Sequence, residues 1–179
     1  MKVVVLTGPE SAGKSSLCSA LAQRFNAPVV REYVREYMER SGQDTCYADV
    51  EIIAREQWRR EKAAKAQRPP LLLLDTNLLS NRLWSQTLFG RSPEWIGQVL
   101  SRQRYDAVFL LSPDGLSWQA DGLRCQPELS ARRAFHAGLE QWLMEHGQCP
   151  LHVGGRWDER YRQIEQAIDR LLAGNAALM

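Results

Sequence analysis

Five short runs of apolar residues alternate with longer segments of helical periodicity along the 179-residue chain. The runs are rich in Val and Leu and occupy residues 2–7, 27–32, 69–75, 105–111 and 149–155. Continuous apolar runs of this length are typical of strands that are buried on both faces, as in a parallel sheet covered by helices. The alternation therefore predicts an α/β fold, with a five-stranded parallel sheet flanked by helices and joined by right-handed crossovers.

No internal repeat, low-complexity tract or linker divides the chain, and its length suits one α/β domain. We therefore predict a single domain over residues 1–179. The least regular stretch, residues 112–128, is long enough to be a functional loop rather than a simple connection. Together with the start of the next helix it forms a predicted mobile lid at approximately residues 112–133.

Composition excludes several classes of protein. The net charge is only +2, from 23 basic and 21 acidic residues, which does not favour a nucleic-acid partner. The four cysteines contain no C-x-x-C pair, so neither a disulfide framework nor a zinc site is predicted. The amino terminus lacks the features of a secretory signal, and no apolar stretch approaches the ~20 residues that cross a bilayer. We expect a cytoplasmic protein without a membrane partner, and the oligomeric state stays open.

The stretch GPESAGKS, residues 8–15, lies between the first apolar run and a helical segment. It fits G-x-x-x-x-G-K-[ST], the P-loop, in which glycines allow a tight turn whose N–H groups point inward. The following helix adds the positive end of its dipole, Lys14 reaches the outer phosphates and Ser15 can ligate Mg²⁺. The stretch therefore predicts a site for the phosphates of a nucleoside triphosphate. The predicted phosphate-binding residues are Gly8, Pro9, Glu10, Ser11, Ala12, Gly13, Lys14, Ser15 and Ser16.

Asp75 ends the third apolar run, LLLLD, at the edge where open α/β sheets gather their ligands. We predict that Asp75 holds Mg²⁺ together with Ser15, or that it acts as a general base. A helix N-cap for the segment that begins near Asn77 is the alternative.

The remaining sequence narrows the class of P-loop protein. The chain has no Asn-Lys-x-Asp guanine reader and no room for the second domain of a helicase or the lid domain of an oligomeric ATPase. The prediction is a P-loop NTPase fold of the nucleoside- or nucleotide-kinase type, with ATP rather than GTP as the phosphate donor.

The stretch REYVREY lies at the end of the second predicted strand. It places Glu32, Tyr33 and Arg35 beside the P-loop if strands two and three flank strand one. Glu32 could accept a hydroxyl proton or bind ribose hydroxyls, Arg35 could face a phosphate, and Tyr33 could stack on a ring. For each of these residues, a simple surface position is the alternative.

The irregular loop carries Arg124, and the helix after it carries Arg132 and Arg133. Mobile arginines that close over a transferring phosphoryl group stabilise its negative charge and exclude water. Arg124 is therefore a candidate lid residue, with a solvated basic helix start as the alternative.

Together these stretches resemble the ribosylnicotinamide kinase domain of the NadR-like family, over nearly the whole chain. The resemblance rests on GPESAGKS, EYVREY, YADVEIIAREQ, LLDTNLLSNRLW, DAVFLL, WQADGLR and DERYRQIEQAI, of which the blocks E-Y-x-R-E and W-x-x-D-G-x-R are the more specific. It implies transfer of the γ-phosphate of ATP to the ribose 5′-hydroxyl of nicotinamide riboside, giving nicotinamide mononucleotide.

The resemblance also assigns roles to particular residues. It implies that the P-loop cradles ATP, that Asp75 holds Mg²⁺ or activates the hydroxyl, and that Arg124 closes the lid. It further implies that Glu32 and Arg35 meet the riboside and that Arg156 contacts the adenine base of ATP. Trp118 is a further candidate, because an aromatic ring in or near the lid could stack on a nicotinamide ring. The other predicted substrate residues are Tyr33, Asn77 and Asp121, and Arg132 is a further predicted ATP contact.

One departure from the family pattern leaves two alternatives open. Where the family tends to have Asp-Thr-Asp after the third strand, this chain has Asp75-Thr76-Asn77. If the second acid is a base or metal ligand, the chain phosphorylates another nucleoside or nucleotide, or it is a catalytically weak ATP-binding regulatory module. If the second acid is only a helix cap, Asn77 serves equally well.

Overall fold

The computed structural model describes the backbone of residues 1–42 and 44–176 and the side chains of residues 1–42 and 44–174. Its strands are β1 (Lys2–Thr7), β2 (Val29–Val30), β3 (Leu71–Asp75), β4 (Ala107–Leu111) and β5 (Leu151–Val153). Its helices are α1 (Lys14–Phe25), α2 (Tyr33–Ser41), α3 (Tyr47–Ala66), α4 (Leu78–Phe89), α5 (Glu94–Arg102), α6 (Leu129–Glu145) and α7 (Trp157–Ala176).

The five strands form one parallel sheet in the order β2-β3-β1-β4-β5. This confirms the predicted five-stranded parallel sheet flanked by helices. The condition that strands two and three both flank strand one is wrong, because β3 lies between β1 and β2. Since all strands run the same way, the segments that follow their carboxyl ends meet at one edge of the sheet.

Alternate residues of β1 pack on opposite faces of the sheet, which explains why this apolar run is continuous. Val3 and Val5 of β1 belong to the core that includes residues of α3 to α6. Val4 and Leu6 belong to the core beneath α1 and α7. A strand buried on both faces requires an apolar side chain at every position.

Helix α2 differs from the sequence-based interpretation, which placed REYVREY at the end of the second strand. The strand has only two residues, and the chain turns at Glu32, the N-cap residue of α2. Arg35 consequently lies one helical turn beyond Glu32, on the side of the sheet edge where the P-loop lies.

Within the described ranges, no helix combines the length and apolar character needed to cross a bilayer.

Candidate active site

The P-loop leaves β1 and turns tightly against the end of β4. Gly8 has φ +150°, and a Cβ atom there would lie 2.7 Å from the carbonyl oxygen of Leu111. Gly13 has φ +83° and is the N-cap residue of α1, and no side chain of the described residues caps this helix end. The first N–H groups of α1 are thus available to an anion, as a phosphate site requires.

Lys14 spans the mouth of this loop. Its Nζ atom donates hydrogen bonds to the carbonyl oxygens of Gly8 at 3.0 Å and Pro9 at 2.8 Å. Both partners are neutral, so the positive charge of Lys14 is left to interact with a bound phosphate.

Glu32 lies close to Lys14, Arg35 and Asp75. Its carboxylate lies 3.5 Å from the guanidinium of Arg35. Burial raises the pKa of Glu32 above its ordinary value, and the Asp75 carboxylate adds to this rise, while Lys14 and Arg35 act in the opposite direction. A carboxyl group with a raised pKa is a better proton acceptor when ionised, as a general base requires.

Asp75 ends β3 and is only 2% exposed. Its Oδ1 atom has no hydrogen-bond partner among the residues that the structure describes. The N-cap residue of α4 is Asn77, whose Oδ1 atom accepts a hydrogen bond from the N–H group of Leu79 at 3.1 Å. The buried carboxylate of Asp75 is therefore not used as a helix cap, and an oxygen atom without a partner suits a divalent cation.

Two pockets meet at this edge of the sheet. The larger, of about 880 Å³, is lined by residues 11–16 of the P-loop, by residues of the 115–119 segment and by residues 156–158. The smaller, of about 380 Å³, lies between α2, α3, α4 and the lid loop (residues 112–128). Lys14, Glu32, Arg35 and Arg124 line both pockets.

The smaller pocket has a mainly apolar wall with polar groups at intervals. Trp84 and Phe89 of α4 supply aromatic rings, and Asn81 from the same helix supplies an amide. Asp44 and Glu10 add carboxylates. This combination suits a small molecule with a flat ring and polar substituents.

Arg124 and Arg35 are joined through Asp121 of the lid loop. The Asp121 carboxylate lies 2.9 Å from the guanidinium of Arg35 and 3.1 Å from that of Arg124. Two arginines are thereby held beside Glu32 and Lys14, where a transferring phosphoryl group would need positive charge. Burial acts to raise the pKa of Asp121, but the hydrogen bonds from Arg35 and from the N–H group of Leu123 lower it overall. The ionised form of this carboxylate is therefore favoured.

Arg156 is brought to the larger pocket, but other predicted residues lie outside both pockets. Arg132 is buried and donates to the carbonyl oxygens of Gln126 and Pro127, so it supports the lid loop. Tyr33 is buried, with the guanidinium of Arg60 4.4 Å from its ring centre. Asn77 is buried as a helix cap, and Trp118 donates its indole N–H to Glu10.

Sequence reasoning missed Arg160, which is fully buried in the first turn of α7. Its guanidinium donates to the carbonyl oxygens of Ala12, Ser112, Asp114 and Gly155. It therefore ties together the P-loop, the lid loop and the β5–α7 connection. Because these partners are backbone atoms far apart in the chain, no sequence motif could have indicated the role.

Trp157 is a second residue that the sequence did not indicate. It lines the larger pocket, and its indole N–H donates to the Ser16 hydroxyl at 3.0 Å. Its ring is stacked on that of Tyr161, with ring centres 5.6 Å apart. An aromatic ring held in this way offers a flat surface beside the start of α1.

The strand order and the P-loop after the central strand define a P-loop nucleotide-binding fold of the small-kinase type. The sequence matches the family model of an AAA domain over residues 3–160. The chain therefore belongs to this AAA domain family.

Curated relatives and solved structures agree with this fold. The chain is 27% identical over 177 residues to the trifunctional NAD biosynthesis/regulator protein NadR of Salmonella typhimurium, and 29% identical to that of Escherichia coli. Each match covers 96% of this chain but 43% of the relative, so the chain spans less than half the length of these relatives.

Among solved structures, a NadR protein in complex with NR superposes with a TM-score of 0.79 at 23% identity, covering 96% of this chain and 52% of that chain. Thymidylate kinase from Ehrlichia chaffeensis has a TM-score of 0.68 at 12% identity, covering 94% of this chain and 98% of that chain. At these identities the likeness establishes the fold.

Proposed function

We propose that the chain is a nicotinamide riboside kinase, which transfers the γ-phosphoryl group of ATP to the ribose 5′-hydroxyl and produces nicotinamide mononucleotide. The observation that carries this proposal is the meeting of two pockets at Lys14, Glu32, Arg35 and Arg124. A kinase must bring a donor phosphate and an acceptor hydroxyl together at one point, with positive charge around the group that moves.

The larger pocket is the proposed ATP site. Its P-loop wall would hold the phosphates, with Lys14 at their outer end. Arg156, Trp157 and Asp158 line the same pocket and are the proposed contacts of the base. A NadR protein of similar fold has been solved in complex with NAD and AMP-PNP, which supports ATP as the phosphate donor.

The smaller pocket is the proposed riboside site. Trp84 and Phe89 provide surfaces for a flat ring, and the carboxylates of Glu32 and Asp44 favour a cationic one. The ring of nicotinamide riboside is a pyridinium cation. The relatives named for NAD biosynthesis, and the NadR protein solved in complex with NR, support this choice of acceptor.

Glu32 is the proposed general base for the 5′-hydroxyl. The 5′ oxygen forms a bond to the γ-phosphorus, the bond from this phosphorus to the bridging oxygen of ADP breaks, and Glu32 receives the hydroxyl proton. Lys14, Arg35 and Arg124 stabilise the charge that spreads over the transferring group. The lid loop excludes water from this junction.

The residues present fit a magnesium ion. Ser15 lines the phosphate pocket, and Asp75 offers a buried carboxylate oxygen that no described residue engages. We propose that these two residues hold Mg²⁺. When bound with ATP, the ion would neutralise phosphate charge.

Five further predicted site residues have proposed roles that differ from those expected from the sequence. Asp121 positions Arg35 and Arg124, while Arg132 supports the lid loop from below. Tyr33 and Asn77 lie behind the pocket walls, and we propose that they shape the riboside site without touching the substrate. Trp118 acts through Glu10 rather than by stacking on the ring.

A coupled ADP-release assay across a panel of acceptors tests the proposal. The panel contains nicotinamide riboside, adenosine, thymidine and thymidine monophosphate, with the product identified by mass. We expect the highest kcat/KM with nicotinamide riboside. Absence of turnover with this riboside, or a clear preference for another acceptor, would overturn the proposal.

A further inference from the structure

One carboxylate of the P-loop receives three donors from the lid loop. The Oε1 atom of Glu10 accepts hydrogen bonds from the indole N–H of Trp118 at 2.8 Å and from the backbone N–H of Gln126 at 2.5 Å. Its Oε2 atom accepts the backbone N–H of Cys125 at 3.2 Å. Both oxygen atoms of Glu10 are thus engaged by a segment more than one hundred residues away in the chain.

The adjacent P-loop residue adds a weaker contact of the same kind. The hydroxyl oxygen of Ser11 accepts the backbone N–H of Gln119 at 3.3 Å. Hydrogen bonds to an ionised carboxylate are stronger than those to a neutral oxygen. Glu10 therefore provides the main attachment of residues 118–126 of the lid loop to the P-loop, while Arg160 holds residues 112 and 114.

This attachment determines where Arg124 lies. Arg124 immediately precedes Cys125, whose N–H group binds Glu10, and both Glu10 and Arg124 line the smaller pocket. On the other side, Asp121 accepts the backbone N–H groups of Leu123 and Arg124 and so fixes the turn before Arg124. Asp121 also attaches this turn to Arg35 of α2, whereas Glu10 attaches the lid loop to the P-loop.

We propose that Glu10 is a positioning residue, which holds residues 118–126 against the P-loop so that Arg124 faces the transferring phosphoryl group and water is kept out. The proposal rests on the proposed kinase function. Glu10 donates and accepts no proton in the reaction, and it acts only through its hydrogen bonds to the lid loop.

Loss of this attachment opens the junction to solvent. Water then takes the place of the riboside hydroxyl: its oxygen forms a bond to the γ-phosphorus, the bond to ADP breaks, and a proton passes to solvent. The products are ADP and inorganic phosphate. An open lid should therefore raise ATP hydrolysis relative to phosphoryl transfer.

Hydrogen exchange on the substrate-free protein tests the attachment without relying on the kinase reaction. In Glu10→Ala we expect the amides of Cys125 and Gln126 to exchange roughly tenfold faster than in the unaltered protein, because their acceptor is gone. Glu10→Gln keeps one carbonyl oxygen and should give a smaller increase. Glu128→Gln, which removes an exposed carboxylate near the end of the same loop, is the matched control.

Kinetics test the consequence for catalysis. In Glu10→Ala we expect kcat for the riboside to fall about tenfold or more with little change in the KM for ATP, while inorganic phosphate release per transfer rises several-fold. Trp118→Phe, which removes one of the three donors and keeps a ring, should lie between Glu10→Ala and the unaltered protein.

The possible results separate the two claims. Unchanged amide exchange in a folded Glu10→Ala variant overturns the attachment, whatever the enzyme phosphorylates. Faster exchange with an unchanged ratio of phosphate release to transfer overturns the positioning role. If riboside transfer is absent in the unaltered protein, the kinase proposal fails while the exchange measurement still decides whether Glu10 holds the loop.

Discussion

At the scale of single residues, the protonation state of Glu32 governs the proposed reaction most directly. The ionised form is the base, and burial holds the pKa of Glu32 above its usual value. We expect kcat/KM to rise with pH until Glu32 is ionised, with an apparent pKa above the ordinary range of glutamate. Glu32→Gln should lower kcat about 10²–10⁴-fold.

The pH–rate profile of an Arg35 variant tests whether Glu32 is the group that must be ionised. Arg35 favours the ionised form of Glu32, so Arg35→Met should move the rise in kcat/KM to higher pH. If the rise in kcat/KM occurs at the same pH in Arg35→Met, and is also present in Glu32→Gln, the general base is a group other than Glu32.

Asn77→Asp tests the departure from the family pattern. Asn77 caps α4, and a hydrogen bond from it partly offsets the rise in the Tyr105 pKa that burial and Glu61 cause. An aspartate at this position would still cap α4, but its carboxylate could not donate the hydrogen bond to Tyr105, and it would add a second acid near the buried Glu61. We expect no gain in rate and a loss of about 1–3 kcal/mol in the free energy of unfolding, measured by urea denaturation. A large gain in rate would contradict the assignment of Asn77 as a cap.

At the scale of elements, the P-loop depends on its close approach to β4. Gly8→Ala would bring a Cβ atom within 2.7 Å of the Leu111 carbonyl oxygen at φ +150°. We expect a loss of about 2 kcal/mol or more in the free energy of unfolding and a much weaker affinity for ATP, measured by calorimetry.

Gly90→Ala is the matched control for this variant. Gly90 also has a positive φ, +69°, and no described atom lies within 4 Å of an added Cβ there. We expect Gly90→Ala to lower the free energy of unfolding by about 1 kcal/mol and to leave the affinity for ATP unchanged. Equal losses in the two variants would show that the approach to β4 is unimportant.

The elements themselves were predictable to different degrees. Strands β1, β3 and β4 were found because burial on both faces leaves a local signature, a continuous apolar run. Helix α2 was missed because β2 has only two residues and α2 only nine, so the apolar face of the helix is short. Its apolar residues are Tyr33, Val34, Tyr37 and Met38, which span less than two turns. The P-loop was found because its spacing of Gly8, Gly13 and Lys14 is entirely local.

At the scale of the whole molecule, Arg160 joins three connections around the larger pocket. Arg160→Met would leave the carbonyl oxygens that it binds without this partner in a buried place. We expect a loss of about 3 kcal/mol or more in the free energy of unfolding, together with weaker ATP binding. Arg170→Met, an exposed change on the same helix, should alter neither quantity. A stable Arg160→Met variant with normal ATP affinity would refute this role.

The arrangement of the site could be predicted only in part. Lys14, Asp75, Glu32 and Arg124 were indicated by sequence because each follows a recognisable strand or loop, although their catalytic roles stay predictions. The strand order, the apolar wall around Trp84 and the carbonyl partners of Arg160 were not accessible. They arise from pairing and packing between segments distant in the chain, which one sequence does not encode in any local pattern.

The central claim is that this junction transfers phosphate from ATP to nicotinamide riboside, and phosphorus NMR of one reaction mixture tests it most directly. With protein, Mg²⁺, ATP and the riboside present, the γ-phosphate resonance of ATP should be replaced by the phosphomonoester resonance of nicotinamide mononucleotide, in an amount equal to ADP. Lys14→Ala, folded as judged by circular dichroism, should leave the ATP resonances unchanged. Unreacted ATP with the unaltered protein, or inorganic phosphate as the only product, would contradict the account.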